Sequence, residues 1–320
     1  MASSNLLARS GARLLVDWLS ERFETRFDLA ETQGDVFIAS DGEHRIGVYV
    51  APLWDESSAW EERLRSMEER LSAGGASGSF ALWVPPRADV PADEPNASDF
   101  VQRVQEAASA LPPGGRTEVT FPVTVKMGKM RDEGGYASVI GGLSRWWTRI
   151  TENVNGTYHV DSAAVHRLTN DGETREQLWA TIGQLSLSIE VGQAVDFQVE
   201  EAWTLQRFSD SETARLSSPK SEAGFALIGA PPSVDPTEGI GVRRAARRRL
   251  KEANEALDAL EVELRAVGLV GIYEYGELEG AGSTVKALDP GLFSRLPVLC
   301  ILADGEVRPT FLPKSLPWAG

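Results

Sequence analysis

The sequence predicts an α+β fold in which helices pack on mixed sheets. Three observations carry that reading. Runs with helical spacing and short β-branched or aromatic runs follow one another along the chain. Asp41-Gly42 and Asp304-Gly305 each lie between two strand-like runs, where Asp-Gly supports the positive φ angles of a tight hairpin turn. The 320 residues are 42% hydrophobic, enough apolar material for a substantial core in one large domain or two.

Leu6, Leu7, Leu14, Leu15, Trp18 and Leu19 recur at helical spacing and predict a helix over 5–22. Phe23, Thr25, Phe27 and Leu29 alternate with polar residues and predict a strand over 23–31. A hairpin about Asp41-Gly42 follows, its second strand closed by Pro52. Ser58 and Glu61 have capping-box spacing, and Trp60, Leu64, Met67 and Leu71 form the stripe of the helix behind them. Gly74-Gly75 stops that helix, and FALWV is a buried strand ended by Pro85-Pro86. A proline-rich connector leads to a helix near 98–110. TEVTFPVTVKM reads as a strand that Pro122 pushes to an edge or a bulge.

Tyr136, Val139, Ile140, Leu143, Trp147 and Ile150 predict a helix over 136–153, weakened by Gly141-Gly142. TYHVDS reads as a short strand, GETREQLWATIGQLSL as a helix and AVDFQVEEAWTLQRF as a long alternating strand. Loops are expected at 209–222 and 231–239, on either side of the buried strand GFALIGA. Val242, Ala246, Leu250, Ala253, Leu257, Leu260 and Leu264 predict the longest helix, over 242–266. LVGIYEY reads as a strand, and the chain ends in a hairpin about Asp304-Gly305. These elements divide into an α+β domain over 1–127 and a second over 128–320, which holds the long helix and the C-terminal hairpin.

Composition sets limits on function. A net charge of -15 opposes non-specific binding of the whole molecule to nucleic acid or an anionic membrane, though a local basic stripe leaves nucleic acid open. No apolar run approaches the roughly 20 residues of a membrane helix, and the N-terminal segment, interrupted by Arg9, Arg13 and Asp17, reads as amphipathic helix rather than signal peptide. The lone Cys300 excludes an intrachain disulfide and a CxxC zinc site, so a cytoplasmic protein without metal or cofactor is expected.

The order of elements over residues 6–84 is helix, strand, strand, strand, helix, strand. That order resembles the core of the PD-(D/E)XK nuclease-like fold. The resemblance implies an acid opening the second strand and a carboxylate and a lysine two apart on the third, holding Mg²⁺ and steadying the attacking water or the phosphate. Asp35 stands at the first position. RIGVYVAP has Tyr49 and Ala51 at the others, so the resemblance implies a copy without catalysis. The order is also similar to that of type III secretion chaperones, which are acidic but much shorter.

Several residues are candidates for chemistry or binding. His159 and Asp161 share a strand face, as an acid–base pair or a surface pair. Glu201 falls on the apolar face of its strand, among Phe197, Val199, Trp203 and Leu205. There it is either a buried acid of a site, or a carboxylate paired to an Arg of the long helix or set on a bulge. Arg243, Arg244, Arg247, Arg248 and Lys251 span one polar sector at the start of the long helix, where the macrodipole disfavours cations. A phosphate, an acidic protein surface or the protein's own carboxylates would neutralise them. Arg145, Trp146 and Arg149 read as a clamp for nucleic acid or a protein interface, with Trp147 in the core. The expectation is a non-catalytic subunit or adaptor of a cytoplasmic prokaryotic assembly, in genome defence or nucleic-acid processing, with a protein partner or a second copy and no membrane. The rival is a metal-dependent nuclease or hydrolase drawing Asp35 and Glu201 from the two halves.

Overall fold

A computed structural model describes residues 2–33, 36–55, 57–208, 224–234, 239–271 and 288–318. It has the α+β architecture, with helices packed on mixed sheets. The chain divides into two compact units: Met1–Thr117 with Thr204–Gly320, and Glu118–Trp203. The expected break at 127/128 instead falls inside a strand, Arg116–Arg131.

The first unit is built on a sheet of β1 (Asp28–Gln33), β2 (Val36–Ser40), β3 (Arg45–Pro52), β10 (Leu264–Val270), β11 (Val298–Ala303) and β12 (Glu306–Phe311), in that order. β10 runs parallel to both β3 and β11, and antiparallel hairpins flank them. α1 (Ala2–Arg22) lies on one face, where Gly11 lets Val50, Leu302 and Val270 approach its backbone. α6 (Gly239–Asp258) lies on the other, where Leu257 fills the space above Gly47. Central strands covered on both faces are apolar throughout, as parallel strands in the middle of a sandwich must be. Val267, Leu269, Val298, Leu299 and Cys300 are fully buried.

The same unit holds β4 (Ser79–Trp83), which pairs parallel with β9 (Gly224–Ile228) and antiparallel with Thr204–Arg207 of β8 (Ala194–Arg207). β9 is an edge, and α2 (Ser58–Ala73) occupies it with side chains in place of a strand. Trp60 Nε1 donates to Gly229 O at 2.9 Å, Glu68 Oε1 accepts from Leu227 N at 2.9 Å, and Ser72 Oγ accepts from Phe225 N at 3.2 Å. α3 (Asn96–Ala110) buries Phe100, Val104 and Ala108.

The second unit orders its strands β6 (Gly135–Gly141), β7 (Gly156–Ser162), β5 (Arg116–Arg131), β8. β7 is parallel to β6 and antiparallel to β5. α4 (Trp147–Asn153) and α5 (Gly172–Ser188) bring Ile150, Trp179 and Ile182 onto the same core as Tyr158, Val160, Phe197 and Val199. Pro122 lies outside the stretch of β5 that pairs with β7, which runs from Lys126 to Arg131.

Four expectations are corrected. Residues 136–153 are not one helix but β6, a 3₁₀ turn (Gly142–Trp146) and α4. Gly141 has φ 84°, and a Cβ on Gly142 would sit 1.9 Å from Val165 O, so the chain turns where the stripe ran on. The helix expected over 242–266 ends at Asp258, and Leu264 already belongs to β10; α1, with 21 residues, is longer than α6, with 20. Residues 23–27 are a helix exit, with Glu24 at φ 51° and Ser20 Oγ accepting from Phe27 N at 3.0 Å, so β1 starts at Asp28. The N-cap of α2 is Ser57 rather than Ser58, and its side chain makes no capping bond. The loop expected at 209–222 and residues 235–238 of the second loop lie outside the described residues.

Candidate functional site

Alternation along β8 turns Phe197 and Val199 into the core of the second unit and sets Glu201 and Trp203 on the same side of the strand, where Glu201 is 4% exposed. Its carboxylate is fully engaged. Trp203 Nε1 donates to Oε1 at 2.8 Å, and Oε2 accepts from His166 N at 2.7 Å and His166 Nδ1 at 2.8 Å. The Nδ1 contact is a donation in the tautomer that carries its proton on that nitrogen. Glu118 on β5 is a second post. Oε1 accepts from Arg167 Nη2 at 2.8 Å, while Oε2 accepts from Thr169 Oγ1 at 2.6 Å and Asn170 N at 2.9 Å. Ala202 N donates to Arg167 O at 3.0 Å. The two glutamates thus pin the segment 163–171 between β7 and α5, which also bridges to β8 at Leu168. Each accepts three hydrogen bonds of the roughly four a carboxylate can take, which leaves little capacity for a cation. Glu201 is buried as its strand position implies, but its partners are a histidine and a tryptophan, not an arginine of α6.

The remaining candidates separate. Asp35 lies outside the described residues. Tyr49 and Ala51, at the acid and lysine positions of the nuclease resemblance, are 6% and 4% exposed, and Tyr49 OH donates to Glu252 Oε2 at 3.0 Å. His159 is exposed on β7 while Asp161 accepts from Ala163 N at 3.1 Å, so the two are neighbours rather than a bonded pair. His44 stacks on Trp318 at 4.4 Å. Arg145, Trp146 and Arg149 do not form a clamp. Trp146 packs inward, 5.8 Å from Trp179 and 5.6 Å from the Arg175 guanidinium, and Arg149 pairs with Glu176 at 2.8 Å. Trp147, expected in the core, is 49% exposed. Arg145 is exposed beside them. Among the described residues no three His, Cys, Asp or Glu side chains are placed to hold a metal ion. Cys300 is fully buried, and burial pushes its thiol up to about 12, so it is no nucleophile at neutral pH.

On α6 the predicted stripe keeps its face. Val242, Ala246, Leu250, Ala253 and Leu257 are buried against the first sheet, which turns Arg244, Arg247, Arg248 and Lys251 outward, with Arg243 half-exposed. Arg248 reaches Asp55 at 2.7 Å and Glu252 at 3.8 Å. Arg249, which the sequence did not single out, donates to Glu252 at 2.9 Å and to Pro52 O at 3.2 Å. Burial alone would raise the Glu252 carboxyl, but the hydrogen bonds from Arg249 and Tyr49 and the charge of Arg248 hold it below its ordinary value. Among the described residues, Arg243, Arg244, Arg247 and Lys251 form no ion pair with any carboxylate, and the first turn of α6 has no acid. No protein-family model matches the chain, and no curated protein or solved structure is significantly similar to it.

Proposed function

We propose that this protein is a non-catalytic binding subunit of a cytoplasmic assembly, which docks an acidic protein surface on the outer face of α6. The observation that supports this most is the set of three cations on α6, Arg244, Arg247 and Lys251, held outward by a buried apolar face and left without carboxylate partners among the described residues. Like charges three and four residues apart on one helix face repel, and an external anion offsets that repulsion. Arginine forks match carboxylates in bidentate geometry. A protein surface suits this face better than nucleic acid. Arg244 to Lys251 spans only about 10 Å along the helix axis, at about 1.5 Å per residue, whereas a long polyphosphate would run beyond it over a molecule of net charge -15. The metal-hydrolase reading loses support because Glu201 spends its acceptor capacity on three N–H donors.

The test is fluorescence anisotropy with a labelled 20-residue polyglutamate at low salt. Wild-type protein binds it, and the affinity falls as salt rises toward 1 M, where the Debye length is about 3 Å. Arg244→Glu/Arg247→Glu loses at least tenfold. Equal binding by the reversed protein, or tighter binding of a 20-nucleotide single-stranded DNA, overturns the proposal.

A further inference from the structure

We infer that the partner presents an acidic amphipathic helix ending in a large apolar residue, and that this helix lies antiparallel to α6 with the apolar residue on Ile240; the inference rests on the docking face proposed above. Ile240 is 66% exposed at the start of α6, an unusual place for a large aliphatic side chain on so charged a helix. Residues 240, 244, 247 and 251 are spaced four, three and four apart, so Ile240, Arg244, Arg247 and Lys251 follow one line down the helix. Arg248 flanks that line and is tied to Asp55. One turn beyond Lys251 the line reaches Glu255, which is exposed, and the charge changes sign. The face is therefore a pattern: one apolar anchor, three cations, one anion, over about 22 Å at about 1.5 Å per residue. A helix carries side chains at the same spacing on one of its own faces, so acids every three or four residues meet the three cations in turn, and a leucine or isoleucine meets Ile240. The direction follows from dipoles. Ile240 stands in the first, positive turn of α6, and the negative C-terminal end of a partner helix is best placed there. Read along the partner, the acids come first and the apolar residue last.

Two labelled helical peptides of identical composition separate this from a plain electrostatic contact. One places the acids before a leucine at the spacing of the α6 line, and the other places the leucine first. Wild-type protein binds the acid-first peptide about tenfold more tightly, as burial of an aliphatic pair would give. Ile240→Ser, an exposed position whose change leaves the buried face of α6 intact, abolishes that preference while still binding polyglutamate. Equal affinity of wild-type protein for both peptides, or an unchanged preference in Ile240→Ser, overturns the inference and leaves the docking face standing. Polyglutamate binding that survives Arg244→Glu/Arg247→Glu removes the docking face itself.

Discussion

Glu68 and Glu201 are both 4% exposed, yet their surroundings give them opposite characters. Glu201 accepts from three N–H groups. Glu68 accepts from Leu227 N alone, and its Oε2 is buried without a hydrogen-bond partner among the described residues. Burial pushes the Glu68 carboxyl up to about 7, against the Leu227 amide and the Arg65 charge, with Glu69 adding to the rise. A group raised on folding stabilises fully below its unfolded value and loses that contribution as pH rises through its folded value. Between pH 5 and pH 8.5, Glu68 therefore accounts for a loss on the order of 3 kcal/mol. Urea unfolding of wild type and Glu68→Gln at those two pH values checks this. The variant's pH slope is shallower by about that amount, whatever the amide costs at both. For Glu201→Ala, three stranded donors predict a loss of about 2–4 kcal/mol and faster proteolysis within 163–171. Asp161→Ala, on the open face of β7, stays within about 0.5 kcal/mol. The burial of Glu201 was legible from strand alternation. Its partner His166 was not, because it lies 35 residues away in a segment with no periodicity to read.

At the scale of elements, what the sequence revealed tracks how local the cause is. Ala303 pairs with Glu306 across Asp304-Gly305, whose φ angles of 54° and 74° are the ones the dipeptide tolerates. The first hairpin likewise pairs Ser40 with Arg45 around Asp41-Gly42. Both causes lie within four residues. By contrast, the apolar spacing of 136–153 imitated a helix while Tyr136, Ile140 and Trp147 ended up 50%, 46% and 49% exposed. Nothing local announces that Val165 packs over Gly142. The extension of α6 to 266 failed for a related reason: a strand buried on both faces has no alternation, so LRAVGLV continued the leucine stripe by coincidence. Gly142→Ala should cost at least about 2 kcal/mol, since the clash is with backbone, and circular dichroism melts would show it. On α6, Leu250→Ala should cost about 2–5 kcal/mol, while Arg244→Glu/Arg247→Glu stays within about 1 kcal/mol because the buried face is untouched. Unfolding of the charge-reversed protein would mean that the stripe is an internal ion-pair network.

For the whole molecule, the succession of helical and strand-like runs anticipated the α+β class, and no described helix is long and apolar enough to cross a membrane. The division into units was not legible. A break is sought at linkers, but β5 and β8, of 16 and 14 residues, each continue as one strand through the boundary at Glu118 and Trp203. Function at this scale rests on contrast: a chain of net charge -15 carries one outward line of unpaired cations among its described residues. Lys251 makes that contrast directly measurable, because a carbodiimide joins an ammonium to a carboxylate only where the two are already in contact. Coupling the acid-first peptide to the native protein and mapping the new amide bonds by mass spectrometry tests the docking face without assuming it. If acidic helices dock on α6, the adduct forms at Lys251 and is lost in Arg244→Glu/Arg247→Glu; adducts spread over Lys126, Lys129 and Lys314 with none at Lys251 would contradict that docking.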